Sequence, residues 1–325
     1  MSNVKISIAG NTLELSGGYD YFSTVDGFYK TIMELNGIPT AELCETKPVL
    51  PLTAPQTLRF NPFDDMQQDI VAIYDDAGIP SIMHRFRRIR NKDLFDGSCG
   101  IHRAFTIGGK TYDEIFISVY PNCEINGKPY SLPYMKPWTN ITNDEAAKAC
   151  FSKGDGWHML TAAEWGLLAN TSLALGTLPH GNTASGKYHA DPQEKGILYD
   201  NYHTLTGSGP STWTHNHKPT GVHDLCGNVW EMVRGMRLMD GRLQAANDNA
   251  AALDIDLTLA GDVWRDVTDD NGKPVFFSVN DESGITIKSE GEISHAYDGA
   301  EWQDVPVECK SEQLKEFALF AGEPE

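Results

Sequence analysis

Residues 221–233 read Gly221-Val222-His223-Asp224-Leu225-Cys226-Gly227-Asn228-Val229-Trp230-Glu231-Met232-Val233, and the reading of this stretch decides the fold. Taken bare, it is a strand entering a polar turn. Gly227 permits a tight backbone there, while Asn228 and Glu231 supply oxygens to the turn. Trp230 brings a large apolar surface with an N–H that needs a partner, so a buried tryptophan is expected beside the turn. An oxygen-rich turn with one carboxylate has the chemistry of a hard-cation site completed by backbone carbonyls. The plainer role for Glu231 is to accept backbone hydrogen bonds within the turn.

Working upstream, residues 156–170 read GWHMLTAAEWGLLAN. Thr161 and Glu164 have capping-box spacing, which predicts a helix running to Gly176. Trp165, Leu168 and Leu175 are expected to form its core-packing stripe. A second box, Thr142 with Glu145, predicts a helix from Asn143 that ends before Gly154. Residues 176–225 are rich in Gly, His, Asn and Thr and read as a long loop, functional or held by special contacts. His180, His189, His203, His215, His217 and His223 all fall in it. No HExxH is present, and His215-Asn-His217 would point its rings to opposite faces of a strand, so packing or solvent exposure is expected of them rather than a transition-metal site. Farther upstream, residues 104–120 form the clearest hairpin, with β-rich arms around Gly108-Gly109, and Asn126-Gly127 marks another turn. Downstream, residues 235–308 return to strand-like pieces, with Asp270-Asn271-Gly272 as a turn, and residues 311–320 predict a last short helix.

The N-terminal texture differs. Residues 4–18 suggest two short strands around a Gly-Asn turn, Asp26 to Asn36 a short helix, and Pro48, Pro51, Pro55 and Pro62 an extended connection. These signals predict a small β-rich module over 1–60, a linker over 61–78 and an α+β domain over 79–325. The chain has 325 residues, with 26 basic against 45 acidic side chains and a net charge of −19, which argues against attraction to nucleic acid. No run approaches the roughly 18 apolar residues of a membrane span, and the first residues do not read as a secretory signal. The six cysteines are scattered without a CxxC pair, as expected of buried thiols made in a reducing cytoplasm. GxSxG, GxGxxG and P-loop motifs are absent, and Asp262–Asp270 does not match an EF-hand loop.

With both motifs in view, the sequence resembles a known family. GVHDLCGNVWEMV is similar to the G-[LV]-x-D-[ML]-x-G-N-V-W-E-[WM] signature of the formylglycine-generating-enzyme (sulfatase-modifying factor) type of C-type lectin fold. GWHMLTAAEWGLLAN is similar to that family's R-L-P-T-E-A-E-W helix, and the two occur in the family's order. The resemblance covers residues 80–325 and picks out Glu164, Trp165, Asn228 and Trp230 as its structural motif. LPHGNTASGKYH, MRLMDGRLQAANDNAA and LKEFALF resemble, more narrowly, the variable proteins of diversity-generating retroelements in phages and prophages. There the lectin fold is a scaffold that displays changeable ligand-contacting positions near its C-terminal end.

The resemblance implies a C-type lectin-like fold and a ligand-binding display role, in receptor binding or adhesion. It implies as partners a host-cell surface protein or glycan, or other virion proteins, and a place on the phage tail or a cell surface. Trimerisation through the N-terminal module would lend avidity to weak sites. It also implies structural calcium at Glu231, with the backbone carbonyls of Cys226, Gly227 and Val229. Two departures shape the expectation. The family enzymes carry a reactive cysteine pair near the C-terminus, whereas Cys309 stands alone in VPVECKSE, so oxidase activity is not carried over and no catalytic residue is expected. The R-G-G-S-W-like and N-x-G-F-R-like strands are also missing, so the domain is expected to lack its terminal variable strands and the main binding residues with them. The alternatives are a structural tail component that mediates assembly, and a formylglycine-generating-type oxidase.

Overall fold

Gly108 and Gly109 both adopt left-handed backbone (φ 56° and 81°), and Asn126 and Gly127 do the same (φ 54° and 77°). Two successive positive φ values match the twist of flanking antiparallel strands, so both dipeptides close tight hairpins. The computed structural model describes residues 4–8, 11–15, 56–59, 70–258, 261–279, 284–293 and 305–319. The helix expected over Asp26–Asn36 lies outside them. The chain divides into two units that alternate along the sequence: residues 1–86, 116–157 and 177–231, then residues 87–115, 158–176 and 232–325. The single domain expected over 79–325 is thus shared between two units. Helix and sheet are mixed in an α+β arrangement.

Strands β1 (Val4–Ile8) and β2 (Asn11–Leu15) pair antiparallel. Strands β3 (Gln56–Arg59), β4 (Ile70–Tyr74) and β5 (Pro80–Arg87) follow. Then come the short hairpin of β6 (Thr106–Ile107) and β7 (Lys110–Thr111), and β8 (Glu114–Ser118), which joins the sheet in the order β3-β4-β5-β8. β4 corrects the linker expected over 61–78. Ile70 and Ala72 belong to one buried cluster with Ile82, and Val71 and Ile73 to another with Met83. A strand covered on both faces reads as a continuous apolar run without alternation, and the prolines before it drew the boundary too late. β9 (Asn122–Ile125) and β10 (Lys128–Ser131) make the Asn126-Gly127 hairpin, and helix α1 (Asn143–Phe151) packs on β10. The Thr142–Glu145 capping box is formed in full.

In the second unit, helix α2 (Ala162–Leu175) begins at the Thr161–Glu164 box and ends at left-handed Gly176. Its expected stripe is corrected: Leu175 is 57% exposed and Trp165 half-buried. Leu168 is buried as expected, and the buried face runs with it through Ala163, Gly166, Leu167 and Asn170. Gly166 explains the rotation, because a Cβ there would lie 1.9 Å from the Glu316 carbonyl oxygen. Strands β11 (Met236–Met239), β12 (Arg242–Ala246), β13 (Trp264–Asp266), β14 (Phe276–Val279) and β15 (Ile285–Lys288) form one sheet, in which β12 pairs with β11, β13 and β14. Helix α3 (Glu312–Glu316) is capped by Ser311. Among the described residues, no helix is long and apolar enough to cross a membrane.

Candidate ligand-binding site

The signature turn is a crosslink between loops. Asn228 Oδ1 accepts from Asn182 Nδ2 (3.0 Å), Thr204 N (2.8 Å) and Thr204 Oγ1 (3.2 Å), while Asn228 Nδ2 donates to the Thr204 carbonyl (3.1 Å). Asn182 also reaches the Tyr202 carbonyl. The long loop expected over 176–225 is held by such side-chain hydrogen bonds. Gly227 is required for backbone approach, since a Cβ there would meet the Asn182 carbonyl at 2.2 Å. The expected buried tryptophan is corrected: Trp230 is fully exposed. Gly227 and Asn228 are both left-handed (φ 71° and 63°), and Asn228 is the side chain of this turn that binds the neighbouring loops. The tryptophan buried in this unit is Trp213, whose Nε1 donates to Glu194 (3.2 Å).

Of the groups implied for calcium, the Cys226 carbonyl packs against Gly181, where a Cβ would lie only 1.8 Å away. Asn228 Oδ1 already takes three donors. Glu231 is exposed at its surface, yet protein atoms crowd its carboxyl and the Asp224 carboxylate adds like charge, together pushing its pKa up to about 8. Asp224 is fully enclosed, so water does not screen its own shift, and burial raises it to about 6. Its Oδ2 accepts from Gly207 N (2.7 Å), and its Oδ1 has no partner. Among the described residues, no group of three or more His, Cys, Asp or Glu side chains is arranged to hold a metal ion.

The loop histidines make hydrogen bonds to ordinary partners. His180 meets Glu194, His189 meets Thr183, His203 meets Asp200 and His217 meets the Leu178 carbonyl. His215 Nδ1 accepts from Val222 N, and His223 Nε2 faces the Pro219 carbonyl. Burial pulls His215 down to about 3 and His223 to about 4, so both stay neutral at pH 7.

In the second unit, Glu164 does more than cap. It is 3% exposed, bonds His158 Nε2 through Oε1 (2.8 Å) and accepts from Thr161 N through Oε2 (2.9 Å). Burial pushes its carboxyl up, but the His158 charge and these hydrogen bonds outweigh it and hold the pKa below the ordinary value. The start of α2 is tied in turn to Arg234, whose carbonyl accepts from Ala162 N and whose N–H donates to the Leu160 carbonyl. The Arg234 guanidinium is buried and donates to the carbonyls of Ala251 (2.9 Å), Leu253 (3.2 Å) and Ile255 (2.6 Å). Gly235 lets this segment approach, since a Cβ there would lie 2.5 Å from that of Ala251. Arg234 directly follows the signature but was not singled out in the sequence. Its signal was there, a lone arginine behind an apolar dipeptide.

Residues 245–249, just before the clamped carbonyls, form one wall of a cleft of about 320 Å³. Asp248 and Asn249 are consecutive left-handed residues (φ 48° each), a strained conformation that Asp and Asn tolerate best among side-chain-bearing residues. Asn249 lines the cleft, is buried, and its Nδ2 has no hydrogen-bond partner. Across from it, Arg103 pairs with Glu316 (2.7 Å) and stacks over Phe317. Arg265 Nη1 is held by the carbonyls of Asp262 and Trp264, and Asp266 accepts from Gln244 and Arg242. Ile101, Ala245 and Ala246 give the lining an apolar patch. The arrangement offers fixed donors and acceptors to a small polar ligand. No protein-family model matches this sequence, and no curated protein sequence is significantly similar to it.

Proposed function

We propose that this chain is a non-enzymatic ligand-binding scaffold of a phage or prophage, with a C-type lectin fold of the formylglycine-generating-enzyme type and a role in receptor binding or adhesion like that of diversity-generating-retroelement variable proteins. The observation that carries the binding role is the cleft of about 320 Å³ whose wall holds Asp248 and Asn249, two consecutive left-handed residues, a strained backbone of the kind that clusters at functional sites. The two family-like motifs support the fold, since one supplies the Glu164 anchor at the start of α2 and the other runs directly into Arg234. The partner is a host-cell surface protein or glycan, and the site of action is the virion. Fluorescently labelled full-length protein should adhere to host bacteria, and Asn249→Asp should abolish adhesion without lowering the melting temperature. Adhesion undiminished by that change would remove the cleft from the reading.

A structural calcium ion belongs to the same reading. Glu231 would hold it with the carbonyls of Cys226, Gly227 and Val229, and the unpartnered Asp224 Oδ1 beside them is the feature that fits a cation. The ion would neutralise two carboxyls that repel each other. A melting temperature raised by millimolar calcium and lowered by EDTA is expected; no response to either would count against the ion.

A second reading, a tail component that mediates assembly, is favoured by exposed aromatics at the signature turn. Trp230 is fully exposed and Tyr202 is 65% exposed. Trp230→Ala should then weaken co-assembly with tail proteins while leaving cell adhesion intact.

A further inference from the structure

We propose that the basic strip formed by Arg88, Arg90 and Lys92 docks a short acidic segment of a partner protein, held extended with two carboxylates on alternate residues. This surface is separate from the ligand role of the cleft and does not depend on it. The first reason is charge. Residues 87–103 carry five basic against two acidic side chains, a local +3 on a chain whose net charge is −19. Arg87, Arg88, Arg90 and Lys92 are all exposed. Among the described residues, the side chains of Arg90 and Lys92 have no hydrogen-bond or ion-pair partner. Arg88 pairs with Asp113 (3.0 Å), whose side chain is 87% exposed. A pair so open to water is weakly held, and the five donors of a guanidinium leave Arg88 free to take a second carboxylate.

The second reason is spacing. Arg88 N donates to the Asp113 carbonyl (2.8 Å), on one side of the segment. On the other, the Ile89 carbonyl accepts from His102 N (3.1 Å) and Asn91 N donates to the Gly100 carbonyl (3.0 Å). Hydrogen bonds that alternate sides in this way mark an extended chain. Arg88 and Arg90 therefore project to the same face, roughly 6.8 Å apart at about 3.4 Å per residue. Acidic side chains on alternate residues of an extended peptide have that same separation, and each guanidinium can grip a carboxylate through two parallel N–H bonds. Ile101 pairs opposite Arg90 and is 38% exposed, so the peptide meets an apolar contact beside the charges.

The third reason is the length of the strip. Fixed charges act over about 8–10 Å at moderate salt. A nucleic-acid strand or an anionic membrane covering the strip would run past it onto the surface of a strongly acidic chain and be repelled there. A short acidic stretch between neutral residues stays within it.

The test is fluorescence anisotropy of the full-length protein with a short labelled peptide that carries glutamates at alternate positions among Ser and Thr. Its glutamine counterpart, an isomer with the glutamates adjacent, a single-stranded oligonucleotide and phosphatidylserine vesicles are measured beside it. The alternating peptide should bind, weaken as salt is raised, and bind at least tenfold more tightly than the glutamine counterpart and several-fold more tightly than the isomer. Arg88→Gln with Arg90→Gln should lower the affinity at least tenfold with an unchanged melting temperature. Arg90→Gln alone, with a several-fold loss, serves if the double change lowers the melting temperature. Absence of binding overturns the proposal, as does equal binding of the glutamine counterpart or binding that both variants retain. Equal affinity for the isomer overturns the extended fit. Tighter binding of the oligonucleotide or the vesicles overturns the acidic peptide in favour of that partner.

Discussion

Arg234 Nη1 donates to the Ala251 carbonyl at 2.9 Å, so the residue that follows the signature motif anchors the segment that directly follows Asn249 of the cleft wall. Lysine cannot reproduce the planar fork that serves three carbonyls. Arg234→Lys should cost about 2 kcal/mol and Arg234→Met about 3 kcal/mol, because buried carbonyls lose their donors. Urea denaturation measures both. Equal stability of all three proteins would show that the clamp carries no load.

Gly166 lies where α2 meets α3. Gly166→Ala would place a methyl 1.9 Å from the Glu316 carbonyl oxygen, and backbone cannot yield as a side-chain tip can. A loss of about 2–4 kcal/mol is expected, together with weaker ligand binding, since Glu316 also holds Arg103 in the cleft. Thermal melting and titration read the two effects separately.

Buried imidazoles set the acid response. His102 and His223 are pulled to about 4 and His215 to about 3 by burial. Their unfolded forms titrate near 6.5, so below that pH the unfolded chain binds more protons and stability falls as pH drops toward 4. At about 1.4 kcal/mol per pKa unit, His102 and His223 contribute at most about 3 kcal/mol each and His215 about 5 kcal/mol. Asp224, raised to about 6, works the other way, because its folded form holds the proton between 3.8 and 6. Glu231, raised to about 8, works in the same direction as Asp224, and three imidazoles outweigh the two carboxyls between pH 7 and pH 5. The urea midpoint should therefore fall between pH 7 and pH 5, and His215→Phe should flatten that slope.

Lys153 governs the alkaline side. It is 1% exposed, donates to Ser81 Oγ (2.7 Å) and lies over the Trp157 ring (3.5 Å) and the Tyr130 ring (4.4 Å). Burial lowers its pKa from 10.5 to about 7. Between these values the unfolded state binds the extra proton, so the contribution of Lys153 to stability rises with pH from 7 to 10.5. Lys153→Met should be neutral or stabilising by up to about 2 kcal/mol at pH 7 and should remove the rise. A strongly destabilised variant would mean that the aromatic contacts outweigh desolvation.

Features set by local chemistry were legible in the sequence. Both capping boxes, Thr142 with Glu145 and Thr161 with Glu164, formed as spaced, because each needs only its own four residues. The Gly108-Gly109 and Asn126-Gly127 turns followed for the same reason. What failed depended on distant partners. Trp230 looked like core because tryptophan usually is, yet the tryptophan buried in that unit is Trp213. Leu175 fitted the helical period but fell outside the face that Gly166 selects. Ile70–Tyr74 had no alternation to reveal a strand buried on both sides. Of the site, the motif leading to it was visible, but the cleft was not, because it joins residues near 103, 248, 265 and 316.

The grip of the Arg234 guanidinium on residues 251–255 uses main-chain oxygens. Every amino acid offers the same carbonyl at positions 251, 253 and 255, so the anchor is indifferent to which side chains stand there, provided position 251 stays small beneath Gly235. Contact chemistry and mechanical support are thereby uncoupled in this segment. A segment held this way can change its side chains at positions 253 and 255 and keep its anchor.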